Sequence, residues 1–363
     1  MSKMLSAFVA SVGRLFSSLF SGSKSDTIPV YVYVANQGSN SISQYRVGPH
    51  GGLTPLAATT VPAGTTPVFI VASPSGKYAY VTNQGGNSVS QYRISHRGEL
   101  EHLAKPVPAG TSPVELAIDP TGRYAYVANS SSNDVSQYFI DEQGLFNPMM
   151  PATIETRMIP VSITVHPSGK FAYVVNNSSN DISQYVISED GSLAPMHPAT
   201  VATGPAPRSI AIHPSGKFAY VVSREAGNIT QYDILPGGRL APVGIPVASG
   251  KHAFVIRIAS SGKYAYAANQ NGNSISQFTI DEKGSLQPMT TPTIDTSLTP
   301  VSIAISGSVE YVYAVNISSN DVSAYKIGSR GELCLIPSNK WGDLTMPAGV
   351  SPRCVATVTL SDS

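Results

Sequence analysis

Charge is scarce in this 363-residue chain: Asp, Glu, Lys and Arg make up 12%, about half the usual share, and the formal net charge is +1. No run of Lys or Arg occurs, so the electrostatic footprint of a nucleic-acid surface is missing and that class of partner is excluded. Cysteine occurs twice, at Cys334 and Cys354, too few for a disulfide framework, and no residues near them have metal-ligand spacing. The sequence places both on different strands of one repeat unit, as two small apolar side chains. No helical stripe appears after residue 26, and no cofactor is expected.

What the chain has instead is repetition. The segments "YAYVTNQGGNSVSQYRI" from 78, "YAYVANSSSNDVSQYFI" from 124 and "FAYVVNNSSNDISQYVI" from 171 are copies of one unit. Anchored on the second aromatic, seven copies fall at Tyr33, Tyr80, Tyr126, Tyr173, Tyr220, Tyr266 and Tyr313, spaced by 46 or 47 residues. Each unit holds four short apolar or alternating runs rich in Val, Ile and aromatics, separated by Gly-, Pro- and Asn-rich turns, which reads as four strands. Four strands per unit of this period predict an all-β, seven-bladed β-propeller over residues 27–363.

The ends of the array predict how the ring closes. The first copy begins at "PVYVYVAN" without an inner strand before it, and the chain finishes on "GVSPRCVATVTL", which is that strand without a copy after it. Residues 352–360 are therefore expected to be the innermost strand of the blade whose other three strands lie between 29 and 61. The "AGTSP" segments and the "NxxxN" turns are expected on one face of the ring. The "HPSGK" turns, with His166 and His213, fall on the other, where a histidine that recurs with the repeat reads as a turn contact. The in-register asparagines after each second strand read as turn residues bonding their own backbone rather than as a sugar site, and the Ser-Gln-Tyr of each third strand as a packing ladder.

At the Tyr-Val-x-Asn repeats the chain resembles the YVTN-repeat proteins and, more broadly, the lactonase family of seven-bladed propellers related to 6-phosphogluconolactonase and the muconate-lactonizing propellers. The resemblance covers residues 28–360. The family pattern, roughly Gly-Pro-Arg-His, then Phe-His-Pro-x-Gly, then Tyr-Val-x-Asn-Glu, has its counterpart at "GPAPRSIAIHPSGKFAYVVSREAG" from 204. Arg208 falls on the motif arginine, His213 on the His-Pro turn and Tyr220 on the tyrosine. Ser209 replaces the histidine, Arg224 occupies the glutamate position, and Glu225 comes one residue later. Blade 3 carries Val114-Glu115 where the family tends to have histidine, and blade 6 carries Asn269-Gln270-Asn271 where it tends to have Asn-Arg-Gly.

The resemblance implies candidate catalytic residues: Arg208 to hold a developing oxyanion, and Glu225 or Glu115 as the base. Charge otherwise gathers near inner strands at Arg224, His252, Arg257 and Arg353, with His252 standing where other copies have Pro. With Gln270, these residues point to a small polar or anionic ligand, or a protein loop, held at the channel mouth. The departures from the motif favour a binding or interaction module without catalysis; the alternative is a lactone hydrolase acting on a sugar or other small lactone. Arg208 paired with Glu225 or Glu115 as a rim ion pair is the structural reading.

Residues 1–26 belong to no blade. At 100° per residue, Met4, Leu5, Phe8, Val9, Val12, Leu15, Phe16, Leu19 and Phe20 fall within an arc of about 160°, an amphipathic pattern. Arg14 and the serine face interrupt it well short of a membrane span of about 20 apolar residues. Three readings stay open: an interfacial helix lying on a membrane surface or partner through residues 4–20, a cleaved export signal, and a disordered leader. The low charge and Ser/Asn-rich surface point to an exported, cell-surface or membrane-peripheral protein.

Overall fold

The computed structural model describes residues 29–307, 311–337 and 345–360. The amphipathic segment 1–26 lies outside the described residues. Seven antiparallel sheets, each with four strand positions, are arranged around a central channel. In blade 5 the order from the channel outward is Pro207–Ile212, Phe218–Ser223, Asn228–Ile234 and Leu240–Ala248. The outermost position is split in blade 2 (Leu100–His102 and Val107–Pro108) and in blade 7 (Leu333–Ile336 and Thr345–Pro347).

The inner strands pack on one another around the ring, and the seam is as expected: Pro352–Thr359 pairs antiparallel with Val30–Asn36, with Tyr33 opposite Ala356. That strand also packs between the inner strands Pro300–Ile305 and Pro67–Ala72, which closes the circle. Cys334 and Cys354 therefore lie in blades 7 and 1, not in one blade, and both are free; Cys334 is exposed and only Cys354 is buried.

The repeated residues are the mortar between blades. The second-strand tyrosines are fully buried, and each donates its hydroxyl to a glycine carbonyl in a turn of the next blade: Tyr33 to Gly98 at 2.7 Å, Tyr126 to Gly191 at 2.6 Å, and finally Tyr313 to Gly51 at 3.0 Å across the seam. The third-strand tyrosines bond backwards, as Tyr92 to Pro62 O at 2.8 Å and Tyr45 to Pro347 O at 2.6 Å. Blade 6 has Phe278 in this place and lacks that bond. The third-strand glutamines are hydrogen-bond bridges rather than packing alone: Gln44 Oε1 accepts from Leu100 N of blade 2 at 2.7 Å, and Gln277 Oε1 from Leu333 N of blade 7 at 2.6 Å. Blade 7 carries Ala324 at that position, so the seam has no such bridge.

His166 and His213 staple neighbouring blades on the face opposite the asparagine turns. Their Nδ1 atoms pair with Ser168 and Ser215 at 2.7 Å, and their Nε2 atoms meet Gly216 O and Gly262 O of the following blade at 2.8 Å. The asparagines after the second strands differ from expectation. They are 0% exposed and their amides reach side chains across the hairpin, as Asn176 Nδ2 to Asp181 Oδ1 at 2.8 Å and Ser183 Oγ at 2.9 Å. Buried in this way, they are not open to a sugar.

Candidate functional site

Each inner strand opens with a register shift, such as that between Pro207 and Ser209 opposite Ser223 and Val222. A bulge of this kind breaks strict alternation, so two successive residues of one strand turn toward the channel. The upper residue of each pair is Val68, Val114, Val161 or Val301 in four blades, Phe254 in blade 6, and Arg208 and Arg353 in blades 5 and 1. The next residues down include Glu115, Ser209, Ser302 and Cys354, and Arg257 rises from one level lower. Above the collar a cavity of about 360 Å³ opens on the asparagine-turn face. Its rim is one turn residue from each of five blades, Gln84, Ser130, Asn177, Arg224 and Gln270. Below the collar the throat narrows to about 60 Å³.

Four arginines thus face one carboxylate around the mouth and throat. Arg257 Nη2 lies 3.7 Å from Glu115 Oε1, with the side chains only 28% and 15% exposed. Arg257 Nη1 is fixed by Ile256 O at 3.0 Å. Arg208 is held differently: its guanidinium stacks on the Phe254 ring, 4.4 Å from the centroid, which fixes the group while leaving its N–H fork unspent. Burial pulls the Arg208 guanidinium down to about 10, and Arg353 pushes it the same way, while Glu115 opposes the shift. Arg353 is lowered too, chiefly by burial. Two guanidiniums that disfavour each other's charge in a partly dry throat make a place where an anion is stabilised.

Glu115 answers to opposing forces. Burial raises its carboxyl above the ordinary glutamate value of 4.5, and Arg257, the Ser162 hydroxyl and Arg208 pull it back. A carboxylate desolvated yet held by cations is a proton acceptor with a reason to take a proton. The thiol of Cys354 sits in the same throat, pushed up by burial, with Sγ 3.8 Å from Ser302 Oγ.

The structure brings together Arg208, Arg353, Arg224 and Gln270 at the mouth, with Glu115 and Arg257 beneath them. It does not bring Glu225 there: that side chain is exposed on the turn and is not part of the channel lining. The expected pairing of Arg208 with Glu225 or Glu115 is replaced by the Phe254 stack and by the Arg257–Glu115 pair. His252 also departs from expectation. Ala253, not His252, takes the Pro position opposite the last residue of the second strand. His252 is the residue before it, in the left-handed region at φ 55°, with its carbonyl accepting from Gln270 N at 3.0 Å and its Nδ1 buried without a partner. Sequence reasoning missed Phe254 and Cys354. The signal was in the alignment of units: Phe254 shares its register with Arg208 and Arg353, and Cys354 shares its own with Glu115. Among the described residues no group of His, Cys, Asp and Glu could hold a metal ion.

A family model described as lactonase, 7-bladed beta-propeller, matches residues 29–111, 65–148, 146–255 and 240–344. Among solved structures, a putative 6-phosphogluconolactonase from Bacteroides fragilis aligns with a TM-score of 0.80 at 20% identity, covering 93% of this chain and 99% of that one. A putative 6-phosphogluconolactonase from Bacteroides uniformis gives 0.78 at 21% identity, with 92% and 100% covered. The periplasmic gluconolactonase of Pseudomonas aeruginosa gives 0.78 at 18% identity, again with 92% and 100% covered. At such identities the likeness is one of fold. A search of curated protein sequences returned no match.

Proposed function

Because the chain belongs to the lactonase family of seven-bladed β-propellers, we propose that it hydrolyses a small anionic lactone in the channel mouth, with Glu115 as the base and Arg208 and Arg353 holding negative charge. The observation that carries this reading is the convergence of a desolvated, cation-held carboxylate with unspent guanidinium donors in one throat. The solved gluconolactonase-like structures share the frame on which these residues stand. In the proposed step Glu115 takes a proton from water, whose oxygen bonds to the lactone carbonyl carbon. Arg208 stabilises the oxyanion, the ring C–O bond breaks, and the proton returns to the departing alkoxide. The carboxylic acid formed then ionises, so each turnover releases one proton.

A second reading, a ligand-binding ring without catalysis, is favoured by Ser209 in place of the motif histidine and by the outward placement of Glu225. Proton release from a panel of lactones that includes 6-phosphogluconolactone separates the two. Hydrolysis above the spontaneous rate should fall about 10² to 10⁴-fold in Glu115→Gln and about 10² to 10³-fold in Arg208→Ala. No excess rate on any lactone, together with binding of 6-phosphogluconate that Arg208→Ala abolishes, would establish the binding ring instead. Attachment to a membrane surface through residues 4–20 is a separate proposal. Flotation with liposomes, lost on removal of residues 1–24, supports it, and unchanged flotation refutes it.

A further inference from the structure

Six of the seven blades close the turn after the second strand with the same buried amide. Asn36, Asn83, Asn129, Asn176, Asn269 and Asn316 each donate through Nδ2 to two side-chain oxygens on the third strand, at 2.7 to 3.3 Å. In blade 4 the fourth member is Thr156, whose hydroxyl reaches Asn176 Oδ1 at 3.0 Å and Ser183 Oγ at 2.9 Å. The hub of blade 4 is thus Thr156, Asn176, Asp181 and Ser183.

Blade 5 puts Thr203, Ser223, Asn228 and Thr230 at the corresponding positions. No amide reaches between the strands, and all four side-chain oxygens, Thr203 Oγ1, Ser223 Oγ, Asn228 Oδ1 and Thr230 Oγ1, are buried without a hydrogen-bond partner. Blades 3 and 7 leave one such oxygen each, Asn129 Oδ1 and Asn316 Oδ1, with both amide bonds made. Four unpaired oxygens at one hub is a different case, because a buried polar group without a partner is rare and costly. The Tyr232 hydroxyl adjoins Thr203 and Thr230 but gives its proton to Ala202 O at 3.0 Å. The four side chains together carry one non-hydrogen atom fewer than their blade 4 counterparts.

We propose that blade 5 holds one ordered water molecule at this hub, in the place that the asparagine amide nitrogen takes elsewhere. The water donates to Asn228 Oδ1 and Thr230 Oγ1, as Asn176 Nδ2 donates to Asp181 and Ser183, and accepts from the hydroxyls of Ser223 and Thr203. Four partners, two accepting and two donating, are what a buried water requires. The charge of the cage selects the occupant. Blades 3, 4 and 7 carry an aspartate at the position of Asn228, whereas this hub is neutral throughout and offers no counter-charge to a sodium or potassium ion. The site lies under the turn that bears Arg224 and Glu225, which in the other six blades is free of charged side chains.

A crystal structure at about 1.5 Å or better should show a single peak within about 2.6 to 3.2 Å of all four oxygens. Water oxygen-17 relaxation dispersion on the full chain should count one long-lived water fewer in Ser223→Asn/Thr230→Ser, which rebuilds the blade 4 hub with Asn228 in the place of Asp181. Hydroxyls rotated to pair with one another and no peak would overturn the proposal. So would an unchanged count in the double variant, or an anomalous signal at the site after rubidium or thallium soaking, which would mark a cation.

Discussion

Raising the pH should unfold this ring at once rather than titrate it, because the bonds between blades are made by phenols. Tyr92, Tyr138 and Tyr232 are at most 2% exposed and donate to Pro62 O, Pro108 O and Ala202 O of the preceding blade. Burial pushes each of the three from 10.0 up to about 12. The buried second-strand tyrosines Tyr33, Tyr80, Tyr126, Tyr173, Tyr220 and Tyr313 shift in the same direction, also by burial. A pKa raised in the folded state means that the folded chain keeps a proton the unfolded chain has lost. The stabilisation is therefore complete below pH 10 and disappears as the pH rises from 10 to 12. At about 1.36 kcal/mol per unit, two units on each of three tyrosines remove roughly 8 kcal/mol, comparable with a typical total stability of 5 to 15 kcal/mol. Tyrosinate absorbance near 295 nm and circular dichroism, followed together, should change in one cooperative step between pH 10 and 12. Replacing the three tyrosines by Phe, which blade 6 already tolerates at Phe278, should reduce the pH dependence by about three protons while costing about 1 to 3 kcal/mol per orphaned carbonyl at neutral pH. Buried tyrosines that ionise gradually while the circular dichroism signal stays intact would refute the reasoning.

Three further outcomes follow from the same contacts. If Glu115 is the base, the acid limb of the pH-rate profile lies above the ordinary 4.5, and Arg257→Gln, which removes the largest force lowering it, moves that limb to higher pH; a shift to lower pH contradicts the assignment. Ending the chain at residue 351 removes the inner strand of blade 1 and leaves Val30–Asn36 paired on its outer side alone, so the truncated chain should fail to give a cooperative thermal transition. Ala324→Gln should supply the bridge missing at the seam, to the N–H of Leu53, and raise stability in urea titration by about 0.5 to 1.5 kcal/mol.

The ring and its closure were legible because the repeat writes them out seven times. A tyrosine every 46 or 47 residues and an orphan inner strand at the C-terminus suffice to place the blades and the seam. The channel was harder to read for a physical reason. Strict alternation would send Val114 and Glu115 to opposite faces of a strand. The register shift at the start of each inner strand lets both line the throat, and no residue type announces that shift. The Arg257–Glu115 pair joins blades 6 and 3, a contact that exists only once the circle is closed. His252 was misplaced by one residue because Ala253 stands where the landmark proline is found in six other units.

Blade 5 shows why a cluster of departures from a repeat should not be read as one site. Within nineteen positions of Arg208 the chain changes Asn to Ser at 223, places Arg at 224 and Glu at 225, and loses a second turn asparagine at Gly227. The fold sends these changes in three directions. Arg208 and Arg224 go to the channel mouth, Glu225 to solvent, and Ser223 into the hub between the second and third strands. Gly227 takes the left-handed position held by Asn180 in blade 4, whose Oδ1 accepts from Ala206 N at 2.9 Å. Glycine meets the backbone demand of that position but has no amide to offer the following segment. The result is one turn that is charged on its outer side and short of amides beneath. The two features have separate consequences, an anion held at the mouth and a water held at the hub, so Arg224→Ala should weaken anion binding without disturbing the hub, and Ser223→Asn should do the reverse.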